Sequence, residues 1–226
     1  MTKLRACILT VAILACPLAW AKGADNAVVL LYHHVSATTA PSTSVTPEIF
    51  EQHLQYLADG YNVISLEQAV TTLKTKQLLP ERAVVITFDD GYRNIYDNAH
   101  PLLLKYAMPY TVFVNPQMIG KYKHQLNWQQ IIEMEKGGAR FANHTSHHRL
   151  LMERTAGVRT SEWLAAIEQD IVQAQGLLQD RLTYSSQYLA YPYGEFNADI
   201  QSLITRLKMV GFGQHSGALY SGSDFT

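Results

Sequence analysis

The sequence is poor in cysteine, and this restricts the chemistry available to it. Only two of its 226 residues are cysteines, Cys7 and Cys16, and both lie in an apolar N-terminal stretch. If that stretch is removed, the remaining chain has no disulfide, no thiolate nucleophile and no cysteine metal ligand. A metal site would then have to be built from histidine and carboxylate side chains.

The net charge is also small, and long hydrophobic runs are few. The formal net charge is -1 at pH 7, so the charge balance does not indicate a nucleic acid or an anionic membrane as partner. This charge balance is compatible with a neutral polymer as substrate. The apolar run at residues 8–18 has about a dozen residues, which is too short for a good membrane span but typical of a secretory signal peptide.

The N-terminal stretch has the other features of an export signal. A short positive segment precedes the run, and residues 19–21 (AWA) match the small-x-small cleavage pattern. We therefore expect residues 1–21 to be a cleaved signal peptide and residues 22–226 to be one catalytic domain of a periplasmic or extracellular protein. A retained N-terminal anchor and a lipoprotein anchored at Cys16 are the alternatives.

The rest of the chain alternates short apolar runs with helical patterns, which predicts an α/β fold with a parallel sheet covered by helices. Predicted strands lie at residues 27–32, 83–88, 109–114, 140–143, 188–191 and 211–215. Predicted helices lie at residues 47–58, from 65, 94–106, 127–136, 161–182 and 197–210. An open doubly wound sheet and a barrel both fit this pattern. In either fold, ligands bind beyond the carboxyl ends of the strands.

Two adjacent carboxylates, Asp89 and Asp90, follow the second predicted strand. They cannot both be buried without partners. A metal ion can satisfy one of them while the other serves as a base, and the residues alone do not decide which. A solvated Asp-Asp-Gly turn is the simpler alternative.

A histidine cluster follows the strand at 140–143. His144 and His148 are four residues apart, so on a helix or in a compact loop both imidazoles can reach one ion. One aspartate with two histidines suits zinc. His147 would point elsewhere, and we expect His53, His100, His124 and His147 to lie at the surface.

Other polar or kinked residues also follow strands, as a shared site requires. A loop at residues 191–194 (YPYG) follows the strand at 188–191, and a backbone N–H there can face a developing oxyanion. His33 and His34 follow the first strand, and His215 follows the last. Any of these three imidazoles can act as a general acid near neutral pH.

Together and in this order, residues 87–91 (TFDDG), 144–148 (HTSHH) and 191–194 (YPYG) resemble the motifs of polysaccharide deacetylases of carbohydrate esterase family 4. The segment at residues 28–35 (VVLLYHHV) resembles the subgroup of poly-N-acetylglucosamine deacetylases in which a histidine motif comes early. The resemblance implies a distorted (β/α) barrel with fewer than eight strands. It also implies metal-dependent removal of acetyl groups from N-acetylglucosamine polymers.

The resemblance also implies a role for each site residue. Asp89 would be the general base, His33 the general acid, and the backbone N–H of Tyr193 part of the oxyanion site. The ligands of the metal, expected to be zinc, would be Asp90, His144 and His148.

Two departures from the family pattern affect these expectations. Many members have an arginine that orients the base, where this chain has Ala190. Residues 217–226 hold no apolar helix, so we expect a barrel that is truncated at its C-terminal side and has an exposed edge. An O-acetyl polysaccharide esterase and a catalytically weakened carbohydrate-binding relative are therefore the competing functions.

Overall fold

A computed structural model describes residues 23–215 and 217–226. The expected signal peptide lies outside the described residues. The strands of the described part are β1 (Gly23–Ala24), β2 (Asn26–Tyr32), β3 (His34–Val35), β4 (Ser44–Val45), β5 (Asn62–Val63), β6 (Leu79–Pro80), β7 (Ala83–Phe88), β8 (Tyr110–Val114), β9 (Arg140–Asn143), β10 (Tyr188–Ala190), β11 (Val210–Phe212) and β12 (Ala218–Tyr220).

Four of the six helices in the described part begin at a capping side chain. The six helices are α1 (Pro47–Ala58), α2 (Leu66–Lys74), α3 (His100–Lys105), α4 (Trp128–Lys136), α5 (Thr160–Gln179) and α6 (Ala198–Arg206). Thr46, Ser65, Asn127 and Asn197 each accept a hydrogen bond from a backbone N–H of the first turn. No helix of the described residues is long and apolar enough to cross a membrane.

The main sheet has the order β11-β10-β9-β8-β7-β2-β12, and β5 pairs with the beginning of β7. Its pairs are parallel apart from that of β12 with β2. Every residue of β7 is buried, as expected for a central strand covered on both faces. The sheet curls into the half-barrel of the expected fold class, and its carboxyl ends meet at one edge.

The residues after β11, which were expected to add no further element, form the short strand β12 at the other end of the sheet. Ala218 to Tyr220 pair antiparallel with β2, and the N–H of Ser221 donates to the Asp25 carbonyl at 3.3 Å. The N–H of Gly211 in β11 donates to the Phe225 carbonyl at 3.0 Å. The last residues therefore contact both ends of the curled sheet. Composition did not reveal this strand, because it has only three residues and only one of them is partly buried.

Two helical segments differ from the sequence prediction. The helix predicted to reach residue 210 ends at Arg206, because Lys208 takes a left-handed conformation with φ of 56°. The helix predicted from residue 94 begins instead as a π-helix, Ile95–Ala99, in which the N–H of His100 donates to the Ile95 carbonyl. Pro101, which follows, has no N–H to continue the α-helical ladder.

His100 was expected at the surface, and that expectation is wrong. Its side chain is buried, and Nδ1 is hydrogen-bonded to the Tyr110 hydroxyl at 2.7 Å. Burial lowers the pKa of His100, so the neutral imidazole is the form that the folded protein favours.

This burial predicts a pH-dependent contribution of His100 to stability. Since its folded pKa is depressed, the contribution is complete above the unfolded pKa of about 6.5 and is lost as the pH falls towards the folded pKa. The free energy of unfolding of the wild type should exceed that of His100→Gln most above pH 7, and the gap should narrow towards pH 5. Urea denaturation from pH 5 to above pH 7 measures this difference in the free energy of unfolding. The exposed His124→Gln is the matched control, and a gap that does not change with pH would contradict the prediction.

Candidate metal centre and catalytic cleft

The carboxyl ends of four of the five consecutive strands β10-β9-β8-β7-β2 supply the residues singled out from the sequence. Asp89 and Asp90 follow β7, His144 follows β9, Tyr193 lies just beyond β10, and His33 follows β2. The strands pair in parallel, so these ends lie side by side.

Asp90, His144 and His148 converge on one point. Asp90 Oδ1 lies 3.1 Å from His148 Nε2 and 3.4 Å from His144 Nε2. One ligand atom from each of the three residues lies within 4.8 Å of the other two. The arrangement fits a single ion bound by one carboxylate and two imidazoles, with room left for further ligands.

Backbone strain is concentrated at these residues. Asp90 has φ of 69° and the following Gly91 has 66°, which turn the chain sharply at the end of β7. A side chain at position 91 would come within 2.8 Å of Val114. His148 also has positive φ, 52°, and with Thr145 at 63° it forms a compact loop rather than a helix. Strain of this kind clusters at functional sites, where the surrounding structure holds it in place.

Two buried asparagines hold the histidine loop. The Asn115 amide donates to the backbone carbonyls of His144 and Thr145, the latter at 3.2 Å. Asn143 accepts from the N–H of Thr145 at 2.8 Å and donates to the Ile171 carbonyl of α5 at 3.0 Å. Asn115 was not among the residues predicted from the sequence, although it lies directly after β8 and so fits the rule that ligands gather at strand ends.

His144 is oriented as a metal ligand would be. Its Nδ1 donates to the Ala190 carbonyl at 2.8 Å, so in the neutral ring Nε2 carries the lone pair. This Nε2 atom is buried and has no hydrogen-bond partner. Backbone contacts of this kind fix the tautomer of metal-binding histidines. The orphaned nitrogen beside the Asp90 carboxylate therefore fits a divalent cation.

The pKa values of the two carboxylates are shifted in opposite directions. Burial acts to raise the pKa of Asp90, but the His144 and His148 imidazoles beside its carboxylate outweigh it and hold that pKa far below its usual range. Burial raises the pKa of Asp89, more than the nearby His144 and His33 lower it. Asp90 is therefore the firmly ionised group and Asp89 the more basic one.

Asp89 is nearly inaccessible, with 2% exposure. Its Oδ1 has no hydrogen-bond partner, and its Oδ2 accepts from Gln214 Nε2 at 3.4 Å. Gln214 lies two residues beyond β11 and lines the same cavity as Asp89 and Ala190, and it was not among the residues predicted from the sequence. Gln214 also follows the carboxyl end of a strand. His215 was predicted as a site residue in its place because an imidazole is titratable and an amide is not.

An open cleft of about 830 Å³ passes over the centre and includes Asp90, His148, Tyr193, His33 and His34 in its walls. The ring of His34 stacks on Tyr92 at 3.7 Å, and its Nδ1 accepts from the Asn94 amide at 2.8 Å. His215 contacts Phe196 and lines an adjoining cavity of about 640 Å³, whose walls also include Asp89 and Gln214. Of the three acid candidates, His33 and His34 share the cleft with Asp90, and His215 does not.

Tyr193 lines the cleft, whereas His147 lies outside it. Tyr193 has φ of 60° in the turn Pro192–Gly194, and its ring lies 4.7 Å from that of His148 across the cleft. His147 turns away, as expected, and its Nδ1 is hydrogen-bonded to Asp170 Oδ1 of α5 at 2.5 Å.

Comparison with known proteins assigns the chain to a family. The polysaccharide deacetylase domain matches residues 76–212. The chain belongs to the polysaccharide deacetylase family. YxkH of Bacillus subtilis is 32% identical over 76% of this chain and 58% of its own length. The poly-beta-1,6-N-acetyl-D-glucosamine N-deacetylase of Staphylococcus epidermidis is 33% identical over 69% of this chain and 56% of its own length.

The chain thus spans less than two thirds of each of these relatives. Among solved structures, the Streptococcus pyogenes deacetylase PplD, in complex with acetate, superposes with a TM-score of 0.79 and 24% identity over 88% of each chain. This likeness shows that the fold is that of the polysaccharide deacetylases.

The asparagine contacts predict that Asn115 stabilises the histidine loop. Asn115→Ala would leave two buried carbonyls without donors, which costs about 1–3 kcal/mol of unfolding free energy per unsatisfied group. Chemical denaturation measures the loss. Asn62→Ala is the matched control, because Asn62 also donates to a backbone carbonyl, that of Glu81, but at an exposed position. Equal losses in the two variants would contradict the prediction.

Proposed function

We propose that this chain is a metal-dependent hydrolase that removes N-acetyl groups from an N-acetylglucosamine polymer. One observation carries the proposal: Asp90, His144 and His148 share a common point beside the buried, more basic Asp89. An ion-binding triad next to a protected base is what hydrolysis of an acetyl amide requires.

Asp90, His144 and His148 would hold the metal, and their donor set suits zinc. When bound, such an ion polarises the acetyl carbonyl and makes a water molecule more acidic. The ionised state of Asp90 and the convergence of the three ligand atoms support this assignment, since a carboxylate is ready to ligate a cation without first losing a proton.

Asp89 would accept the proton of the attacking water. Burial raises its pKa, so its carboxylate is a stronger base than an exposed aspartate. Gln214 donates to the other oxygen of the same carboxylate, which supports the orientation of the base in the absence of an arginine at position 190.

His33 would donate a proton to the leaving nitrogen, and the backbone N–H of Tyr193 would stabilise the oxyanion. The C–N bond breaks and a new C–O bond forms, so the products are acetate and a free glucosamine amine. We favour His33 over His34, because the Nδ1 of His34 is already paired with Asn94 and its ring is stacked on Tyr92. His215 lies outside the cleft.

The substrate class rests on the cleft and on the relatives. The cleft is open and carries no strong net charge of one sign among its walls, which suits a neutral sugar polymer. The curated relative from Staphylococcus epidermidis is named for poly-beta-1,6-N-acetyl-D-glucosamine. We also propose that residues 1–21 direct export, which would bring the domain of residues 22–226 to a substrate in the cell envelope or biofilm.

Acetate release tests the reaction. The wild type with added zinc should release acetate from oligomers of N-acetylglucosamine and do so faster than from O-acetylated xylan oligomers. Asp89→Asn should lower kcat at least 100-fold, in keeping with loss of a general base, while its zinc content is unchanged. Preference for the O-acetylated substrate would make the protein an esterase, and no acetate from either would favour a binding role without catalysis.

Metal content tests the ligand assignment. His148→Ala should lose bound zinc and acetate release together, because one of the three convergent ligand atoms is removed. His147→Ala is the matched control: it changes the neighbouring histidine, whose ring is paired with Asp170 outside the triad, and should retain both properties. Elemental analysis of the purified proteins and reloading after chelation measure the effect. Full zinc content in His148→Ala would refute the assignment.

A further inference from the structure

A row of aromatic rings leads out of the cleft beside the candidate metal centre. His34 stacks on Tyr92 with ring centroids 3.7 Å apart. Tyr92 faces His124 at 6.3 Å. His124 in turn lies parallel to Tyr122, with centroids 5.4 Å apart and ring planes only 8° from parallel. The first three rings line the cleft, and Tyr122 continues the row beyond its wall.

The outer pair of this row is fixed in position relative to Asp90. The N–H of Arg93 donates to the His124 carbonyl at 2.8 Å, and the N–H of Leu126 donates to the Gly91 carbonyl at 3.0 Å. Tyr92 and Gln125 form an antiparallel bridge between these two bonds. The segment that carries Tyr122 and His124 is therefore paired with the residues that directly follow Asp90.

Packing of the core does not account for Tyr122. Its side chain is 51% exposed, and it belongs to none of the hydrophobic clusters among the described residues. Large aromatic side chains left exposed next to a cleft are typical of binding surfaces. Because the pair continues the row that starts in the cleft, its ligand should be an extension of whatever the cleft binds.

We propose that Tyr122 and His124 form a second sugar-binding subsite, which holds a residue of the polymer adjacent to the one that loses its acetyl group. A pyranose ring presents a face of C–H bonds that packs on an aromatic ring, while its hydroxyl groups stay in water. The inference rests on the proposed function for the substrate class. It adds which side chains of this protein would contact the neighbouring sugar.

The experiment compares substrates of different length. For Tyr122→Ala, the KM for acetate release from N-acetylglucosamine oligomers of two to five residues should rise about two- to tenfold, the range expected for one aromatic contact. The KM for the monosaccharide and the kcat for all lengths should stay the same. Tyr122→Phe should behave as the wild type, because the ring and not the hydroxyl makes the contact.

Tyr56→Ala is the matched control. Tyr56 is 64% exposed and also pairs with a second aromatic ring, that of Tyr61, but neither lines the cleft. An effect of Tyr122→Ala that is equal for monosaccharide and oligomers would overturn the subsite, as would no effect at all.

Calorimetric binding separates this inference from the proposed reaction. The pentamer of N-acetylglucosamine is titrated into Asp89→Asn protein with and without Tyr122→Ala. A weaker affinity in the double variant supports the subsite even if the wild type releases no acetate. Equal affinities, or no binding by Asp89→Asn itself, overturn the subsite whatever the activity of the wild type.

Discussion

The site depends on how one carboxylate is held between two imidazoles at the end of a buried strand. Asp90 Oδ1 has a histidine nitrogen on either side, at 3.1 and 3.4 Å. This geometry requires left-handed backbone at Asp90 and at His148, each costing about 1–3 kcal/mol. The rigid parallel strands and the amide contacts of Asn115 and Asn143 supply the stabilisation that offsets this strain. The site is therefore a property of the whole sheet edge and not of the three side chains alone.

Much of this arrangement could be predicted from the sequence, because its signals are local. Strand β7 is an apolar run interrupted only by Thr87, and α4 begins at an asparagine cap, so both were predicted at their observed bounds. The rule that ligands gather at the carboxyl ends of parallel strands then brought Asp90 and His144 together without any contact being known. This prediction required only the type of fold, which the hydrophobic pattern of the sequence indicates.

The features that escaped prediction depend on contacts between distant parts of the chain. The burial of His100 follows from its pairing with Tyr110, which no periodicity reveals. The strand β12 is too short to carry a pattern, and it exists because β2 offers it an unpaired edge. Gln214 lies 125 positions away from the aspartate it contacts. Glutamine has no titratable group, so an inspection for acids, bases and metal ligands passes over it.

The adjacent aspartates illustrate how a fold assigns different chemistry to identical side chains. Both follow β7, and neither composition nor spacing distinguishes them. The left-handed turn at Asp90 directs its carboxylate to the imidazoles, which lower its pKa, whereas Asp89 continues the strand into the interior, where burial raises its pKa. A group that stays ionised suits a cation, and a group with raised pKa suits proton transfer. A turn of one residue at a strand end is thus sufficient to shift the pKa values of two identical side chains in opposite directions.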